Sequence, residues 1–239
     1  MTSDSSKGPD LIVNPMRHIE VFNPDTWGDR LIDVIGAGAT GSYVGFRLAK
    51  LGVMKLRVWD FDTIESHNIG NQGYGINDIG RPKVEVLAER IFRDSGLKID
   101  ARNEKFVGQE RLGHTVFLLT DSMESRRSIF KKSVRFKTGT KQLIETRMGK
   151  QHGNVYSINP STMFEVKAYE KTLAVDGEPE LSACGTPISV GTTAEIIANM
   201  AVDQLIHAFA IENGAEDTFD NEIIIGMRPY GIMTRRFTR

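Results

Sequence analysis

The chain has 239 residues, of which 30 are basic and 31 acidic, so its formal net charge at pH 7 is −1. This balance gives no indication of a surface built for nucleic acid or for an anionic membrane. No apolar run approaches the roughly 20 residues of a membrane span, and the polar N-terminus lacks the apolar core of a signal peptide. We therefore expect a cytoplasmic protein, and the length suits one large α/β domain with a substantial core.

The chain has one cysteine, Cys184, which excludes an intrachain disulfide and a cysteine-rich structural zinc site. The five histidines do not have the spacing of metal ligands. Each is interpreted as a surface or core histidine.

The N-terminal part is predicted to be a tail and an arm over residues 1–29. Residues 1–10 are polar, and two Asn-Pro steps in residues 11–30 indicate an extended arm with short turns. Arg17 lies in this arm, where a solvated arginine is the ordinary interpretation.

A strand, a glycine-rich turn, a helix and a second strand follow in residues 31–62. The turn has the G-x-G-x-x-G spacing, with Gly36, Gly38 and Gly41. These glycines permit a tight turn, close approach of a phosphate and close packing of the helix on the strand. Asp60 ends the second strand, where a carboxylate is placed to accept hydrogen bonds from ribose hydroxyls. The unit predicts nucleotide binding.

A Gly- and Asn-rich loop leads to a helix that opens at Pro82, with Lys83 near its N-terminus. The helix dipole disfavours a cation there, so Lys83 is easier to understand if it meets a phosphate. Strands are predicted at 98–106 and 115–119. Asp121 follows the second of them, as a helix cap or as a partner of Asp60 in holding Mg²⁺.

The C-terminal half predicts further strands, some of them antiparallel, and one long helix. The predicted segments are strands at 142–146, 152–159, 163–169 and 221–227, a hairpin through 159–161, a loop at 170–186, a helix at 186–210 and a solvated basic tail. The fold class is α/β and Rossmann-like, with a mainly parallel sheet flanked by helices and added antiparallel strands. Residues 30–239 are expected to form a single domain.

Several ordered motifs make the resemblance to a family specific. DFDTIESHNIGNQ and GRPKVE follow the glycine loop, LLTDSMESRR comes later, and CGTP precedes the long helix. Over roughly residues 30–210 the chain resembles the ThiF/MoeB family, which includes the ubiquitin-activating enzymes. The resemblance implies ATP and Mg²⁺ as cofactors and adenylylation of the C-terminal glycine carboxylate of a ubiquitin-like or sulfur-carrier protein. It also implies a homodimer and a crossover loop at about 170–186.

The resemblance implies a role for each matching residue. Gly36, Gly38 and Gly41 would shape the nucleotide site, Asp60 would hold the ribose, and Asp62, Asn68 and Gln72 would lie near the nucleotide. Lys83 would neutralise the triphosphate, and Asp121 would bind Mg²⁺ or orient phosphates.

Three further residues would act outside the loop. Arg126 would order its segment, Arg17 would enter a partner's site, and Cys184 would take the activated acyl group.

Three departures from the family pattern leave alternatives open. Asn71 stands where the family usually has an arginine, Ser122 replaces an asparagine, and the paired C-x-x-C motifs are absent, so this would be a diverged member without zinc. A weakly active or inactive partner subunit is one alternative. A nicotinamide-dependent oxidoreductase is another, because the glycine loop and Asp60 suit it equally. For adenylylation, the substrate is a carrier protein, a short peptide or a small carboxylate.

Overall fold

The computed structural model describes residues 13–108, 110–174 and 190–238, so Cys184 lies outside the described residues. Its centre is an eight-stranded sheet in the order β3-β2-β1-β4-β5-β6-β7-β8. The strands are β1 Ile32–Ile35, β2 Leu56–Trp59, β3 Asp100–Arg102, β4 Thr115–Leu118, β5 Gln142–Met148, β6 His152–Ile158, β7 Glu222–Met227 and β8 Tyr230–Arg235.

The sheet changes direction at its middle. Strands β1 to β5 pair in parallel, and β6, β7 and β8 continue the sheet antiparallel. The parallel strands β1 and β4 are buried along their whole length, as expected for strands covered on both faces. The predicted fold class, including the antiparallel C-terminal strands, is confirmed.

Helices cover both faces of this sheet. They are α1 Pro24–Trp27, α2 Gly41–Lys50, α3 Lys83–Ser95, α4 Met123–Ile129, α5 Met163–Thr172 and α6 Gly191–Glu212. One apolar cluster joins α2, α3 and α6 to the sheet through Leu48, Leu87 and Ile197. A second cluster joins α4 and α5 to the other face through Ile129 and Tyr169.

Helix α6 has 22 residues and is long and apolar enough, by length and composition, to cross a membrane. Buried core helices of other proteins share this property. Here α6 contacts α2, β5 and β6, and Ile197, Ala201 and Leu205 are fully buried among them. The helix therefore forms one side of the core.

Two predictions for the C-terminal half are wrong. Residues 163–169 form α5 and not a strand, because Val166, Tyr169 and Leu173 recur at helical spacing and are buried together. The antiparallel hairpin joins β5 to β6 instead. The basic tail is not a solvated end, since it forms β8 on the edge of β7 and buries Phe237.

The boundaries of two further predictions also change. The strand expected over 98–106 is reduced to β3, which has three residues. The arm of residues 11–30 contains the short helix α1, and its Phe22 and Trp27 are buried against Phe209 of α6. The second half of the arm is therefore attached to the body of the protein.

Candidate functional site

The three glycines of the loop after β1 have different surroundings. Gly36 has a φ of +102°, and a Cβ there would lie 2.6 Å from the backbone oxygen of Leu119. At Gly41 a Cβ would lie 1.9 Å from the backbone oxygen of Gly36. At Gly38 a Cβ would meet no atom within 4 Å. Gly36 and Gly41 are thus required for the turn, whereas Gly38 leaves an open approach to the backbone.

Two side chains fix the backbone of this loop at Ala37. The Asp60 Oδ2 accepts a hydrogen bond from the Ala37 N–H at 2.6 Å, and the Tyr74 hydroxyl donates to the Ala37 carbonyl at 2.7 Å. Asp60 Oδ1 accepts a second bond from the Asp62 N–H at 2.8 Å. A carboxylate has room for further donors, so this bonding leaves Asp60 able to accept a ribose hydroxyl as well.

The environment of Asp60 also affects its titration. Burial raises the pKa of the Asp60 carboxyl above its ordinary value, and the two backbone donors and the nearby Lys83 oppose this shift. Burial likewise raises the pKa of the Tyr74 phenol well above its ordinary value. Tyr74 therefore remains a hydrogen-bond donor to the loop at neutral pH.

Lys83 is a buried cation beside the same loop. It is the first residue of α3, and only 6% of its surface is exposed. Its Nζ lies 2.9 Å from Asp62 Oδ2, whose side chain is half exposed. Burying a single ammonium is costly unless it is paired, so Asp62 holds Lys83 in place while the open side of Asp62 faces solvent.

Polar atoms without a partner collect near this edge of the sheet. Asn71 Oδ1, Gln72 Oε1 and Thr120 Oγ1 are buried and have no hydrogen-bond partner among the described residues. Asn68 differs, because its Oδ1 accepts from the Glu65 N–H at 2.9 Å and closes the turn that precedes Asn71. Buried polar groups are normally bonded, so the three orphaned atoms are places where a polar ligand would find partners.

The N-terminus of α6 lies against the same segment. A Cβ at Gly191 would lie 2.8 Å from the backbone oxygen of Gly70, and no side chain caps the helix. Tyr43, in the first turn of α2, interacts with Glu195 in α6. Two helices therefore begin side by side near Asn71, and their free N–H groups and dipoles favour negative charge there.

Asp121 follows β4 at the carboxyl edge of the sheet. Its side chain is exposed and makes no hydrogen bond or ion pair with any residue that the structure describes. Arg126 lies behind it, where its Nε donates to the Thr120 carbonyl at 2.8 Å and its Nη1 lies 3.0 Å from Glu145 Oε1. Arg126 thereby fixes the backbone of Thr120 and leaves Asp121 open to solvent.

Arg17 lies in the arm, next to a residue that contacts the C-terminal end of α2. It is exposed, and the neighbouring His18 has its Nε2 3.3 Å from the carbonyl of Leu51, at the C-terminal end of α2. The loop lies at the opposite end of that ten-residue helix, about 15 Å away by the rise of an α-helix. The arm next to Arg17 is thus attached at the end of α2 away from the glycine loop.

The structure thus brings together most of the residues that the sequence singled out. They are Gly36, Gly38, Gly41, Asp60, Asp62, Asn68, Gln72 and Lys83 around the loop, with Asp121 on the next strand. Among the described residues, no group of three His, Cys, Asp or Glu side chains is placed to hold a metal ion. A cation here would need oxygen atoms from a ligand besides Asp121.

Sequence reasoning missed the roles of Tyr74, Thr120 and Glu145. Tyr74 lies in a loop that composition alone identifies, and its bond to Ala37 joins residues 37 positions apart. Glu145 is fully buried on β5 and receives both Arg126 and Arg147. A charged residue in an otherwise apolar predicted strand was the only sign of this cluster.

The fold and the glycine loop define a Rossmann-like α/β protein. The model of the ThiF family matches residues 25–228, which is most of the chain. The chain belongs to the ThiF family.

Curated relatives match parts of the chain. One is the tRNA threonylcarbamoyladenosine dehydratase 2 of Saccharomyces cerevisiae, 36% identical over 103 residues that make up 40% of this chain and 23% of that protein. Another is the NEDD8-activating enzyme E1 catalytic subunit of Arabidopsis thaliana, 37% identical over 102 residues, or 40% of this chain and 22% of that protein. The chain therefore matches about a quarter of the length of these relatives.

Solved structures share the fold over nearly the whole chain. Structures of E. coli MccB with ATP and with MccA have TM-scores of 0.71 and 0.74, at 13% and 14% sequence identity. Each comparison covers 97% of this chain and 74% of MccB. At this identity the likeness establishes the fold and no more.

Proposed function

We propose that this protein is an ATP-dependent adenylyltransferase. It would activate the C-terminal carboxylate of a ubiquitin-like or sulfur-carrier protein, or of a short peptide, as an acyl-adenylate. The observation that carries the proposal is the buried Lys83 beside an open glycine loop, with its Nζ 2.9 Å from Oδ2 of the half-exposed Asp62, in a ThiF-family chain. The NEDD8-activating relative and the structures of MccB with ATP and with MccA support the same class.

The residues present suit ATP. Gly38 leaves the loop backbone open, Asp60 has acceptor capacity for ribose hydroxyls, and Lys83 supplies positive charge where phosphates would lie. The orphaned Asn71 Oδ1 and Gln72 Oε1 would gain partners from the nucleotide or its bound water. The amide groups of those side chains also bring N–H donors to the same place.

Mg²⁺ suits the open carboxylate of Asp121. Magnesium commonly binds one or two carboxylates together with substrate phosphates and several waters. A single free carboxylate at the carboxyl edge of β4 matches that pattern. When bound, the ion would neutralise charge on the phosphates, and Arg126 would keep the Thr120–Asp121 backbone in position.

The proposed chemistry needs no protein nucleophile. The substrate carboxylate attacks the α-phosphorus, the bond to the β-phosphate oxygen breaks, and pyrophosphate leaves. The attacking group is already ionised, so the protein contributes by positioning and by neutralising negative charge. Lys83 and the N-termini of α2 and α6 provide that charge in this chain.

Asn71 removes one positive charge that the family usually places here. We propose a homodimer in which Arg17 of one chain enters the site of the other and supplies this charge. The contact of the neighbouring His18 with Leu51, at the far end of α2, supports a contribution of Arg17 between chains. The arm would then belong to the partner's site.

Cys184 is proposed to accept the activated acyl group as a thioester. Attack of the thiolate on the acyl carbon would release AMP. A carrier conjugate that forms with wild type, is cleaved by thiols and is lost in Cys184→Ser would support this step. A thiol-stable conjugate, or one that persists in the variant, would exclude it.

ATP–pyrophosphate exchange tests the proposed function. Exchange should require Mg²⁺ and a carrier or peptide that ends in Gly-Gly, and Asp121→Ala should lower it at least about a hundredfold, the scale of losing one transition-state charge contact. Glu124→Ala is the matched control, because Glu124 is exposed one turn away on α4. Equal losses of exchange activity in Asp121→Ala and Glu124→Ala would contradict the proposal. Wild-type protein without exchange activity would also contradict it.

An inactive nucleotide-binding subunit is the second candidate, and Asn71 favours it. That protein would bind ATP with no exchange for any carboxylate. A nicotinamide-dependent oxidoreductase would instead be stabilised against melting by NAD and not by ATP. The two alternatives are therefore separated by binding measurements before any activity is found.

A further inference from the structure

A basic cavity lies on strands β5, β6 and β8 and on α5, apart from the glycine loop of β1. Its volume is about 470 Å³, within the range of small-molecule sites. The described residues that line it are Arg147, Tyr156, Ala168, Lys171, Thr172, Arg235, Arg236, Phe237 and Thr238. They include four cations and three hydroxyl groups, and no described lining residue is acidic.

Among the described residues, the carboxylates that pair with the lining cations are fewer than those cations. Arg147 pairs with Glu145 at 3.0 Å, Arg235 with Glu222 at 2.5 Å, and Arg236 with Asp220 at 3.1 Å. Glu145 is shared with Arg126, so among the described residues three carboxylates serve these four guanidinium groups and the Lys171 ammonium, and Arg147 has a further interaction besides its pair with Glu145. Lys171 is exposed and has no ion pair with a described residue.

The inner wall of the cavity is held rigidly. The Arg147 guanidinium lies 4.4 Å from the centre of the Tyr156 ring, and its Nη1 donates to the Thr172 carbonyl at 3.0 Å. Burial raises the pKa of the Tyr156 phenol, and its protonated hydroxyl interacts with Glu222 and accepts a hydrogen bond from Asn154 Nδ2. Phe237 and Ala168 give the cavity an apolar side.

We propose that this cavity binds a small molecule that carries phosphate groups. Planar guanidinium groups match phosphate oxygens with paired hydrogen bonds, and an exposed lysine adds a flexible charge at the rim. Hydroxyl donors and an apolar side complete a site that suits a compact polyanion with a non-polar part. The proposal concerns a second site and does not depend on the proposed adenylylation.

Inorganic pyrophosphate is the probe, titrated at constant ionic strength and followed by backbone amide NMR. The amides of Thr172, Phe237 and Thr238 should shift in a saturable manner. Lys171→Gln combined with Arg236→Gln should weaken that binding at least about tenfold, because two charge-assisted contacts are lost. Lys171→Gln alone breaks no ion pair with a described residue and should weaken pyrophosphate binding at least about threefold.

Lys131→Gln combined with Lys167→Gln is the control, since this pair also removes two positive charges, but from exposed positions outside the cavity. Its affinity should stay within about twofold of wild type. Shifts confined to the glycine loop, shifts at the cavity that do not saturate, or equal weakening in the control would overturn the proposal.

Discussion

At the residue scale, the loop glycines differ in what a side chain would displace. A methyl group at Gly41 would collide with the backbone of Gly36, whereas a methyl group at Gly38 would meet open space. The same chemical change should therefore affect folding at one position and binding at the other.

Gly41→Ala should lower the free energy of unfolding by about 2–3 kcal/mol, the usual cost of overpacking. Gly38→Ala should change it by less than about 0.5 kcal/mol but weaken ATP binding about tenfold or more, because the methyl group occupies the phosphate approach. Denaturant unfolding and calorimetric titration measure the two effects. Equal stability of both variants, or full ATP affinity in Gly38→Ala, would contradict this interpretation of the loop.

The buried carboxyl of Asp60 gives a pH-dependent stability. Its pKa is raised in the folded chain, chiefly by burial, so between the unfolded and folded pKa values the folded chain holds more protons. Rising pH then lowers the free energy of unfolding through this group. Asp60→Asn lacks the titration, so the stability of wild type relative to the variant should fall as the pH rises above about 4, the ordinary pKa of an aspartate. If the unfolding free energy of wild type relative to Asp60→Asn stays constant or grows with pH, the pKa of Asp60 is not raised.

Sequence pattern located most of these residues but not their partners. The spacing of Gly36, Gly38 and Gly41 and the position of Asp60 follow from a recurring local unit, so they could be predicted. The bond from Tyr74 to Ala37 and the pair of Arg126 with Glu145 join distant segments. No local pattern specifies them, because they depend on how the strands are ordered in the sheet.

At the element scale, the buried parallel strands were predictable because each is a short apolar run before a loop or a helix. Residues 163–169 were not, because the run from Met163 to Tyr169 alternates much as a strand does, and burial of Val166, Tyr169 and Leu173 decides for a helix. The basic composition of the tail predicts a solvated end, and its residues on β8 are all exposed. Its structural part is the edge pairing with β7 and the insertion of Phe237.

The tail should therefore contribute to stability through Phe237. This residue is 7% exposed in the cluster on the α5 side, whereas Tyr230 at the start of β8 is 79% exposed. Phe237→Ala should cost about 2–3 kcal/mol of unfolding free energy, and the matched Tyr230→Ala less than about 0.5 kcal/mol. Urea unfolding curves measure both, and a Phe237→Ala protein as stable as wild type would show that the tail is not part of the core.

At the scale of the whole molecule, the site of one chain is proposed to be completed by another. His18, the neighbour of Arg17, contacts the end of α2 that lies about 15 Å from the glycine loop, and Asn71 leaves that loop without the arginine usual in the family. A two-fold dimer in which each arm crosses to the other chain satisfies both observations.

Mixing two inactive variants tests the crossing of the arms. Arg17→Ala and Asp121→Ala should each be inactive alone, and after subunit exchange half of the dimers would be mixed with one intact site each. The ATP–pyrophosphate exchange activity of the mixture should then recover to about a quarter of the wild-type value. No recovery in dimers shown to have exchanged would place Arg17 outside the site or in its own chain's site.

The product made from ATP is the most direct test of the central claim. The protein would be incubated with Mg²⁺, ATP labelled on the α-phosphorus, and carriers or peptides ending in Gly-Gly. Adenylylation predicts that the label appears in an acyl-adenylate and in AMP. Pyrophosphate should form in an amount equal to these two products together, and no ADP should form. Formation of ADP and phosphate would contradict adenylylation. Label that stays in ATP, together with binding of NAD to the protein, would also contradict it.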